Sequence, residues 1–433
     1  MRPSPLLLAL CVLWALLGLA ASLGWVPTSA WAAMGAACGL VAAFDAWRVR
    51  RQAPPAVQRS VPEVLPLNVP RDVELALVGG PRALRLDLHD LHPVGWEASG
   101  LPVGLHLAPG SETQVRYRLQ PTARGDFAFA GVHLRLHSPL RLWRRALVAG
   151  APQDVRVYPN FAPLARLALL GAESASRLVG AHLRRRRGEG TDFHQMRDYR
   201  VGDSLRQVDW KATARMRRLI SREYQDERNQ QLLLVVDTGR RMLARDGDLA
   251  HFDHALDAAL VVGYLALRQG DAVGLLAIGG AQRWVAPQRG PGAIDVLLRA
   301  TYDLEPSPVA TDYLAAATEL ALRQRRRALV MLVTNLRDED IEDVLAAVRL
   351  LQQRHHVVVA SLREQAVDAA LATPPEGLSH ALRAAEAARY LAQRAAAHDA
   401  LRRHRVAVLD VTCAELPAAL VERYLAIKRD GLL

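Results

Sequence analysis

Apolar residues fill two stretches at the N-terminus of the chain almost without interruption. Residues 5–24 carry no charged side chain, and the second stretch, residues 26–44, follows after almost no loop and is richer in Ala and Gly. About 20 apolar helical residues cross a bilayer core of roughly 30 Å, and small residues let neighbouring helices pack closely. The pattern predicts a two-helix transmembrane hairpin over residues 1–51.

Basic residues flank this hairpin and are missing between its helices. Arg2 precedes the first helix, and Arg48, Arg50 and Arg51 follow the second. Basic flanks stay in the cytoplasm, so we expect a multi-pass protein of the bacterial inner membrane with its body in the cytoplasm. The alternative is a cleaved signal peptide, which leaves the second apolar stretch unexplained. Outside the hairpin Cys413 is the only cysteine, so no disulfide framework is expected.

A proline-rich stretch, residues 52–70, is predicted to be a linker into a strand-rich region over residues 71–160. Apolar and polar side chains alternate there with period two, the signal of half-buried strands. The alternation is clearest at residues 73–78, 84–88 and 114–119, with turn residues at 79–81 and 109–111. The pattern predicts a β-sandwich-like domain of immunoglobulin-like architecture.

After a polar segment at residues 161–228, continuous apolar strands alternate with amphipathic helices. Strands are predicted at residues 231–236, 273–278, 328–333, 356–360 and 406–409. Helices are predicted at residues 252–267, 294–302, 313–323, 377–403 and 415–426. This order predicts a doubly wound α/β domain with a parallel sheet over residues 229–433.

Charge adds little to the functional picture. The formal net charge is +11, which invites a nucleic-acid interpretation, but only Lys211 and Lys428 are lysines and the arginines are spread along the chain. No aromatic interleaving or zinc-finger spacing accompanies the one dense basic run, Arg184 to Arg187. We therefore expect no nucleic-acid partner. The run is either a solvated loop or a contact for anionic lipid or an acidic partner.

Asp237 ends the first buried strand of the α/β domain, and its surroundings resemble the von Willebrand factor A fold. Members of that fold bind a divalent ion through an Asp-x-Ser-x-Ser turn, a later threonine and a further aspartate. Here Thr311 and Asn335 lie at matching distances, but Gly239 and Arg241 replace the two serines. Asp237, Thr311 and Asn335 are therefore a degenerate candidate for Mg²⁺. The alternatives are that Asp237 caps a turn or pairs with Arg241, and no cofactor is expected.

The polar segment ahead of that strand is dense in Arg, Asp and aromatic residues. Arginine forks pair with carboxylates and stack on aromatic faces, so Arg197, Arg206 and Arg215 with Asp198, Asp203 and Asp209 are predicted to form a rigid network. Eight residues of this segment together form a candidate docking surface: Arg197, Tyr199, Gly202, Asp203, Arg206, Asp209, Trp210 and Arg215.

This segment closely resembles the signature of the domain-of-unknown-function 58 (DUF58) family, F-x-x-x-R-x-Y-x-x-G-D-x-x-R-x-I-D-W-x-x-x-A-R, with Val208 in place of isoleucine. The family typically carries two N-terminal membrane helices, a strand-rich region and a von Willebrand A-like domain. The resemblance implies work with a MoxR-type AAA+ ATPase and other von Willebrand A proteins in assembling or activating envelope or membrane proteins. It implies no catalytic activity.

Two further interpretations remain beside this non-enzymatic adaptor or scaffold. One is a divalent-ion-dependent protein-binding module, and the other is an uncharacterised hydrolase. For the hydrolase, Gly202-Asp203-Ser204 lacks its helix and histidine context, and no phosphate-binding glycine loop of the Walker type occurs. His251 and His254 lie one helical turn apart, but a zinc site needs three or four ligands. They are therefore interpreted as surface histidines.

Overall fold

The computed structural model describes residues 1–163, 165–166, 192–200, 207–225, 230–290, 292–374 and 376–432. Within it the chain divides into two compact units, Met1–Tyr158 and Pro159–Leu433. The first holds the N-terminal helices and a strand-rich part. The second holds the polar segment of residues 161–228, which we call the signature segment, and an α/β part. The predicted Arg184 to Arg187 run lies outside the described residues.

Two apolar helices open the first unit, α1 (Pro5–Ser22) and α2 (Thr28–Arg50). Both are long and apolar enough to cross a membrane by length and composition, with mean hydropathies of 2.3 and 1.3 over their most apolar windows. The hydroxyl of Ser4 accepts the backbone N–H of Leu7 and so caps the start of α1. Helix α2 continues through Arg48 to Arg50, beyond the predicted apolar stretch.

Reciprocal tryptophan–glycine contacts hold α1 against α2. Trp14 and Trp31 stack with ring centroids 4.7 Å apart, and each indole N–H donates to the other residue's carbonyl oxygen. A Cβ on Gly35 would lie 2.6 Å from Nε1 of Trp14, and one on Gly18 would lie 3.0 Å from Nε1 of Trp31. Only glycine leaves room for the rings, so small residues do set this helix packing, as predicted.

The strand-rich part contains twelve short strands in three sheets. One sheet has the order β1 (Arg2–Pro3), β11 (Trp143–Ala149), β10 (Val132–His137), β5 (Leu84–Asp90) and β7 (Val103–Leu107). A second has β2 (Ala56–Ser60), β4 (Arg71–Val78), β8 (Glu112–Gln120) and β6 (Glu97–Ser99). The third has β3 (Val64–Pro66), β12 (Gln153–Tyr158) and β9 (Gly125–Phe129). All pairs are antiparallel except β3 with β12. The three alternating stretches are thus confirmed as strands.

The predicted linker over residues 52–70 is wrong in part, because it contains β2 and β3. Both are edge strands, where a proline costs no sheet hydrogen bond. Arg59 of β2 is almost wholly buried: its Nε donates to Oδ2 of Asp90 at 3.0 Å, and its guanidinium lies over the Phe129 ring. The high proline content therefore predicted a linker at a place where the chain forms a packed strand.

The sheet that contains β1 and β11 holds the base of the helical hairpin. Strand β1 pairs with β11, and the backbone N–H of Ser4 donates to the Leu142 carbonyl. From α2, the Ala42 carbonyl accepts from the Trp143 indole at 2.9 Å, and Oδ1 of buried Asp45 accepts from the Leu140 N–H. The N-terminus and the end of α2 therefore both lie at one edge of the strand-rich part.

A six-stranded mixed sheet forms the centre of the α/β part. Its strand order is β19 (Arg283–Gln288), β18 (Ala272–Ile278), β15 (Gln231–Asp237), β20 (Leu329–Thr334), β21 (His356–Arg363) and β22 (Ala407–Thr412). Five strands are parallel and match the predicted ones. β19 was not predicted and runs antiparallel at the edge, so the sheet is mixed rather than wholly parallel.

Helices cover both faces of this sheet. They are α4 (His251–Arg268), α5 (Ala293–Thr301), α6 (Tyr313–Arg323), α7 (Ile341–Gln352), α8 (Gln365–Ala372), α9 (Leu378–Arg403) and α10 (Leu416–Arg429), while α3 (Trp210–Met216) belongs to the signature segment. On β15, Leu232 and Leu234 pack into one core with α4 and α10, and Leu233 and Val235 into another with α6 and α7. Both faces are buried, which explains the continuous apolar run. Helices α7 and α8 were not predicted.

Candidate functional site

The signature segment folds as a two-stranded ribbon followed by a short helix. Strand β13 (Asp192–Asp198) pairs antiparallel with β14 (Ile220–Gln225), and α3 lies between them in sequence. The backbone N–H of Tyr199 donates to the Leu219 carbonyl, and Val208 bridges to Ser221. Gly202, Asp203 and Arg206 lie outside the described residues, as does the Gly202-Asp203-Ser204 match.

Asp209 fixes the start of α3. Its Oδ1 accepts the Ala212 N–H at 2.9 Å, and its Oδ2 accepts Nε of Arg222 at 2.8 Å. The side chain is only 6% exposed. The Ala212 hydrogen bond and the Arg222 guanidinium lower the pKa of Asp209 below its usual value. Asp209 therefore remains a carboxylate and joins α3 to β14.

Among the described residues, two carboxylates of the predicted arginine network have ion-pair partners that were not predicted. Asp209 pairs with Arg222, and Asp198 pairs with Arg218 at 3.1 Å. Both arginines come after α3 in sequence, and neither was among the predicted partners. Because antiparallel pairing brings β14 back beside β13, the partners of these carboxylates lie downstream.

Around this ribbon several apolar side chains lie exposed to solvent. Trp210 is 65% exposed, Met216 57%, Met196 51% and Leu219 45%. We call these four residues the signature surface. The charged signature residue Arg215 is exposed beside them on α3, whereas Tyr199 is half-buried. A group of exposed apolar residues on elements held in place by ion pairs and hydrogen bonds is typical of a protein-binding surface.

Asp237 is wholly buried at the carboxyl end of β15 and accepts four hydrogen bonds. Oδ1 accepts from the Gly239 N–H at 2.8 Å and from the Thr311 hydroxyl at 2.6 Å. Oδ2 accepts from the Tyr313 hydroxyl at 2.9 Å and from the Thr334 hydroxyl at 2.7 Å. Burial and the neighbouring Asp237 raise the pKa of Tyr313, which keeps its proton available for donation. Uncharged donors thus satisfy both oxygens of this carboxylate.

The two departures from the serine pattern now have physical explanations. A Cβ on Gly239 would collide with the Thr311 hydroxyl and lie 2.9 Å from the Val309 carbonyl oxygen, so a serine there would displace Thr311. Arg241 pairs with Asp340, Nε to Oδ2 at 3.2 Å, and with Glu339. The alternative pairing of Arg241 with Asp237 is therefore not observed.

Asn335 contributes to a second cluster, built around a buried arginine. Arg394 of α9 is 1% exposed, and its donors reach four acceptors: Asn335 Oδ1 at 3.1 Å, the Leu336 carbonyl at 3.0 Å, Ser361 Oγ at 2.7 Å and Asp410 Oδ1 at 3.0 Å. The Asn335 amide in turn donates to Glu364 Oε1 at 2.8 Å. This cluster, the Arg394 cluster, joins the carboxyl ends of β20, β21 and β22.

Glu364 is the second carboxylate of this cluster. It accepts from Arg337 at 3.0 Å and, through Oε2, from the Tyr390 hydroxyl at 3.0 Å. Burial alone would raise the pKa of Glu364, but the hydrogen bonds, led by that of Asn335, outweigh it and lower the pKa. Asp237 and Thr311 are thus brought together as predicted, whereas Asn335 bonds to Glu364 and Arg394.

Sequence reasoning missed Arg394, Glu364 and Asp410. Arg394 is one of several arginines in a long polar helix, and no periodicity distinguishes a buried arginine from an exposed one. The only available signal was position: Ser361 and Asp410 lie in the carboxyl-terminal halves of β21 and β22, and Glu364 directly follows β21, at the edge of the sheet where ligands collect. A second error concerns His251, which is wholly buried rather than at the surface; His254 is half-buried.

These features define the class of protein by its organisation. An apolar helix pair and a strand-rich part are followed by an α/β part with buried polar clusters at the carboxyl edge of its sheet. The family model described as protein of unknown function DUF58 matches residues 195–406. This match covers the second half of the signature segment and most of the α/β part, and it confirms the family resemblance drawn from the signature.

Relatives by sequence are themselves uncharacterised. A Mycobacterium bovis protein and two Mycobacterium tuberculosis proteins are each 29% identical over 161 residues, which is 36% of this chain. The matched region spans about half, 51%, of each relative's length.

Among solved structures, an aerotolerance-related membrane protein from Bacteroides fragilis is 18% identical, with a TM-score of 0.23, over 30% of this chain and 67% of that one. Escherichia coli alpha-2-macroglobulin is 14% identical, with a TM-score of 0.20, over 24% of this chain and 7% of that one. Likenesses this low carry no conclusion about function.

Proposed function

We propose that this chain is a non-enzymatic, membrane-tethered adaptor or scaffold. In this proposal its signature surface docks a MoxR-type AAA+ ATPase, and the pair assembles or activates envelope or membrane proteins, together with other von Willebrand A proteins. The observation that carries the proposal is the signature surface itself. Trp210 and Met216 stand exposed on α3, and buried Asp209 and its partner Arg222 hold that helix in place.

The architecture of this surface suits docking better than catalysis. Trp, Met and Arg are all enriched in protein interfaces, and Trp and Arg are frequent among the residues that carry most of the binding energy. Arg215, which is exposed on the same helix α3, offers a donor for an acidic partner. Asp209 is nearly buried and satisfied, so we assign it a positioning role rather than a contact with the partner.

We also propose that the α/β part is von Willebrand A-like. Support comes from a central strand, β15, that ends in buried Asp237, from helices on both faces, and from an antiparallel strand at one edge of the sheet. The Thr311 hydroxyl reaches Asp237, as the ion-binding turn of that fold requires. The donor set lacks the two serine hydroxyls, so the proposal includes no metal at Asp237 and no cofactor.

The proposed location is the bacterial inner membrane, with α1 and α2 crossing it and the body in the cytoplasm. The pairing of β1 with β11 supports this topology, because it keeps the N-terminus beside the strand-rich part and so on one side. Arg2, Arg50 and Arg51 lie at that end of the hairpin. A reporter fused after the C-terminus tests it: a fluorescent reporter should be active, and a phosphatase that works only in the periplasm should be inactive.

Affinity purification of the full chain from detergent-solubilised membranes tests the adaptor role. The wild-type chain should retain an AAA+ ATPase, and Trp210→Ala and Met216→Ala should each reduce the recovered ATPase at least about tenfold, as loss of an interface hot spot does. Leu322→Ala is the matched control, because Leu322 is 73% exposed on α6, outside the signature surface. Retention of the ATPase by the Trp210 and Met216 variants refutes the docking surface. Absence of any ATPase with the wild-type chain refutes the adaptor role.

The two remaining candidates give different results in the same preparation. An ion-dependent binding module would lose its partner on chelation of Mg²⁺, whereas docking through the signature surface is insensitive to the chelator. A hydrolase would turn over substrate in the purified full chain without any ATPase. No described feature favours either candidate over the adaptor.

A further inference from the structure

A buried histidine, a buried cysteine and a carboxylate meet at the carboxyl edge of the α/β sheet. Asp246 lies in β16 (Arg245–Asp246) of the hairpin that this strand forms with β17 (Leu249–Ala250), His251 begins α4, and Cys413 follows β22. One ligand atom from each lies within 4.8 Å of the other two. Asp246 and His251 lie 5 positions apart in the sequence and Cys413 lies 162 positions beyond His251, so the fold brings the cysteine to the other two residues.

His251 is the observation that points to a ligand. It is wholly buried, yet within the described part of the chain neither of its ring nitrogens has a hydrogen-bond partner. A buried polar group without a partner is costly, and native structures seldom leave one without a reason. Its Nε2 lies 3.6 Å from Oδ2 of Asp246, too far for a hydrogen bond. Burial lowers the pKa of His251, so the ring is neutral at pH 7 and has a lone pair to offer.

We infer that Asp246, His251 and Cys413 bind a transition-metal ion of the zinc class. Imidazole, thiolate and carboxylate are the ligands zinc accepts, at about 2.0–2.3 Å in tetrahedral geometry. Thiolate and imidazole discriminate against Mg²⁺ and Ca²⁺, which favour oxygen ligands. The three ligand atoms lie within 4.8 Å of one another, so the side chains must move closer together to reach that geometry. Three protein ligands leave a fourth position for water.

Metal binding here replaces one proton by one cation. Without a metal, Cys413 is a thiol, because burial and the neighbouring Asp246 carboxylate raise its pKa. A divalent ion takes the thiolate and releases the proton to solvent, so its affinity should rise with pH. Besides the ligands, the charged or titratable groups acting on His251 are Glu364, which favours a cation, and Arg394 and His254, which oppose it.

The surroundings also orient the carboxylate ligand. The backbone N–H of Gln365 lies 3.3 and 3.4 Å from the two Asp246 oxygens, and the ring of His254 contacts the Asp246 carbonyl at 3.2 Å. Such outer contacts hold metal ligands in position. A metal would therefore link the segment after β15 to the loop after β22, and the backbone of Gln365, after β21, would contact its carboxylate ligand.

Cobalt titration of the purified, reduced full chain in detergent tests this site, because Co²⁺ substitutes for zinc and its bond to a thiolate absorbs in the near ultraviolet. We expect one equivalent of Co²⁺ to give this band and one equivalent of Zn²⁺ to abolish it. Cys413→Ser should remove the band. His251→Gln and Asp246→Asn should weaken Zn²⁺ binding at least about 100-fold, the upper end of what loss of an outer contact costs.

The matched control is the double variant Cys11→Ser, Cys38→Ser, which removes the two exposed cysteines of the helical hairpin and should leave the band unchanged. Circular dichroism identifies any variant that fails to fold, and the wild-type titration needs no variant. Absence of the band from the wild-type chain, or its persistence in Cys413→Ser, overturns the inference. Loss of the band in the Cys11→Ser, Cys38→Ser variant overturns the inference too.

Discussion

The hydroxyl of Tyr313 lies 2.9 Å from Oδ2 of Asp237 and donates a hydrogen bond to this buried carboxylate. Tyr313→Phe should destabilise the full chain by about 1–3 kcal/mol, because it removes one donor from a buried charge. Thermal unfolding in detergent, followed by circular dichroism, measures the change. Tyr264→Phe is the control: within the described residues its hydroxyl has no hydrogen-bond partner, and we expect less than about 0.5 kcal/mol. Equal effects of the two variants would contradict the assigned role of Tyr313.

The same four donors predict that Asp237 does not bind magnesium. Each of the two carboxylate oxygens already accepts two hydrogen bonds, and Gly239 offers no hydroxyl. Isothermal calorimetry of the full chain with Mg²⁺ should show no saturable heat. Micromolar binding that disappears in Asp237→Asn would overturn this expectation. Magnesium is the right probe because it does not compete for a thiolate and imidazole site.

Strong periodic signals in the sequence predicted most elements of the α/β part, to within three residues at their ends. The strand at residues 231–236 was found as β15 because both of its faces are buried and its apolar run is unbroken. Strand β19 was missed because it lies at the sheet edge and contains Pro287. Strand β2 was missed because prolines surround it.

Side-chain partners were much harder to predict than elements. Asp209 was singled out correctly, but its partner Arg222 depends on the register between β13 and β14, which one sequence does not reveal. Arg394 and His251 look like surface residues in the sequence, since burial of a polar side chain is decided by tertiary packing. Asp237 and Thr311 were paired only through a family resemblance.

His398 predicts a pH dependence of stability in the acid range. It is 1% exposed, with Nδ1 3.6 Å from Oδ2 of Asp410. Burial, assisted by Arg394, lowers its pKa to about 4, against about 6.5 when unfolded. Between these values the unfolded chain binds the proton more readily, so stability falls as the pH drops from about 6.5 to about 4. This group should contribute a loss on the order of 2 kcal/mol at about pH 5.

Thermal unfolding at about pH 7.5 and pH 5 compares the variants. His398→Gln should lessen the fall in stability between the two conditions. His380→Gln, which changes an exposed histidine of the same helix α9, should leave the fall as in the wild-type chain. If the His398 variant shows the full wild-type fall, the protonation that destabilises the chain occurs elsewhere.

The helical hairpin offers a matched pair of glycines. Gly35→Val would drive a side chain into the Trp14 indole and separate the stacked Trp14 and Trp31 rings, at a cost of about 1–3 kcal/mol for overpacking. Gly39→Val meets open space, since no atom lies within 4 Å of its Cβ position. Tryptophan fluorescence and thermal unfolding in detergent should change for the first variant only. A similar change for both would mean that these rings do not hold the helices together.

The contact between Trp143 and the carbonyl of Ala42 has a consequence for the thickness of membrane that suits this chain. Hydrogen bonds from the strand-rich part to α2 begin at Ala42, so residues 28–41 of α2 are left for the bilayer, a length of roughly 21 Å at 1.5 Å per residue. Helix α1 spans roughly 27 Å by the same measure. Against a hydrocarbon layer of about 30 Å, α2 has a hydrophobic mismatch of roughly 9 Å. If α2 crosses the bilayer as proposed, the edge of the sheet at β11 settles into the headgroup layer, and the lipids beside α2 are compressed.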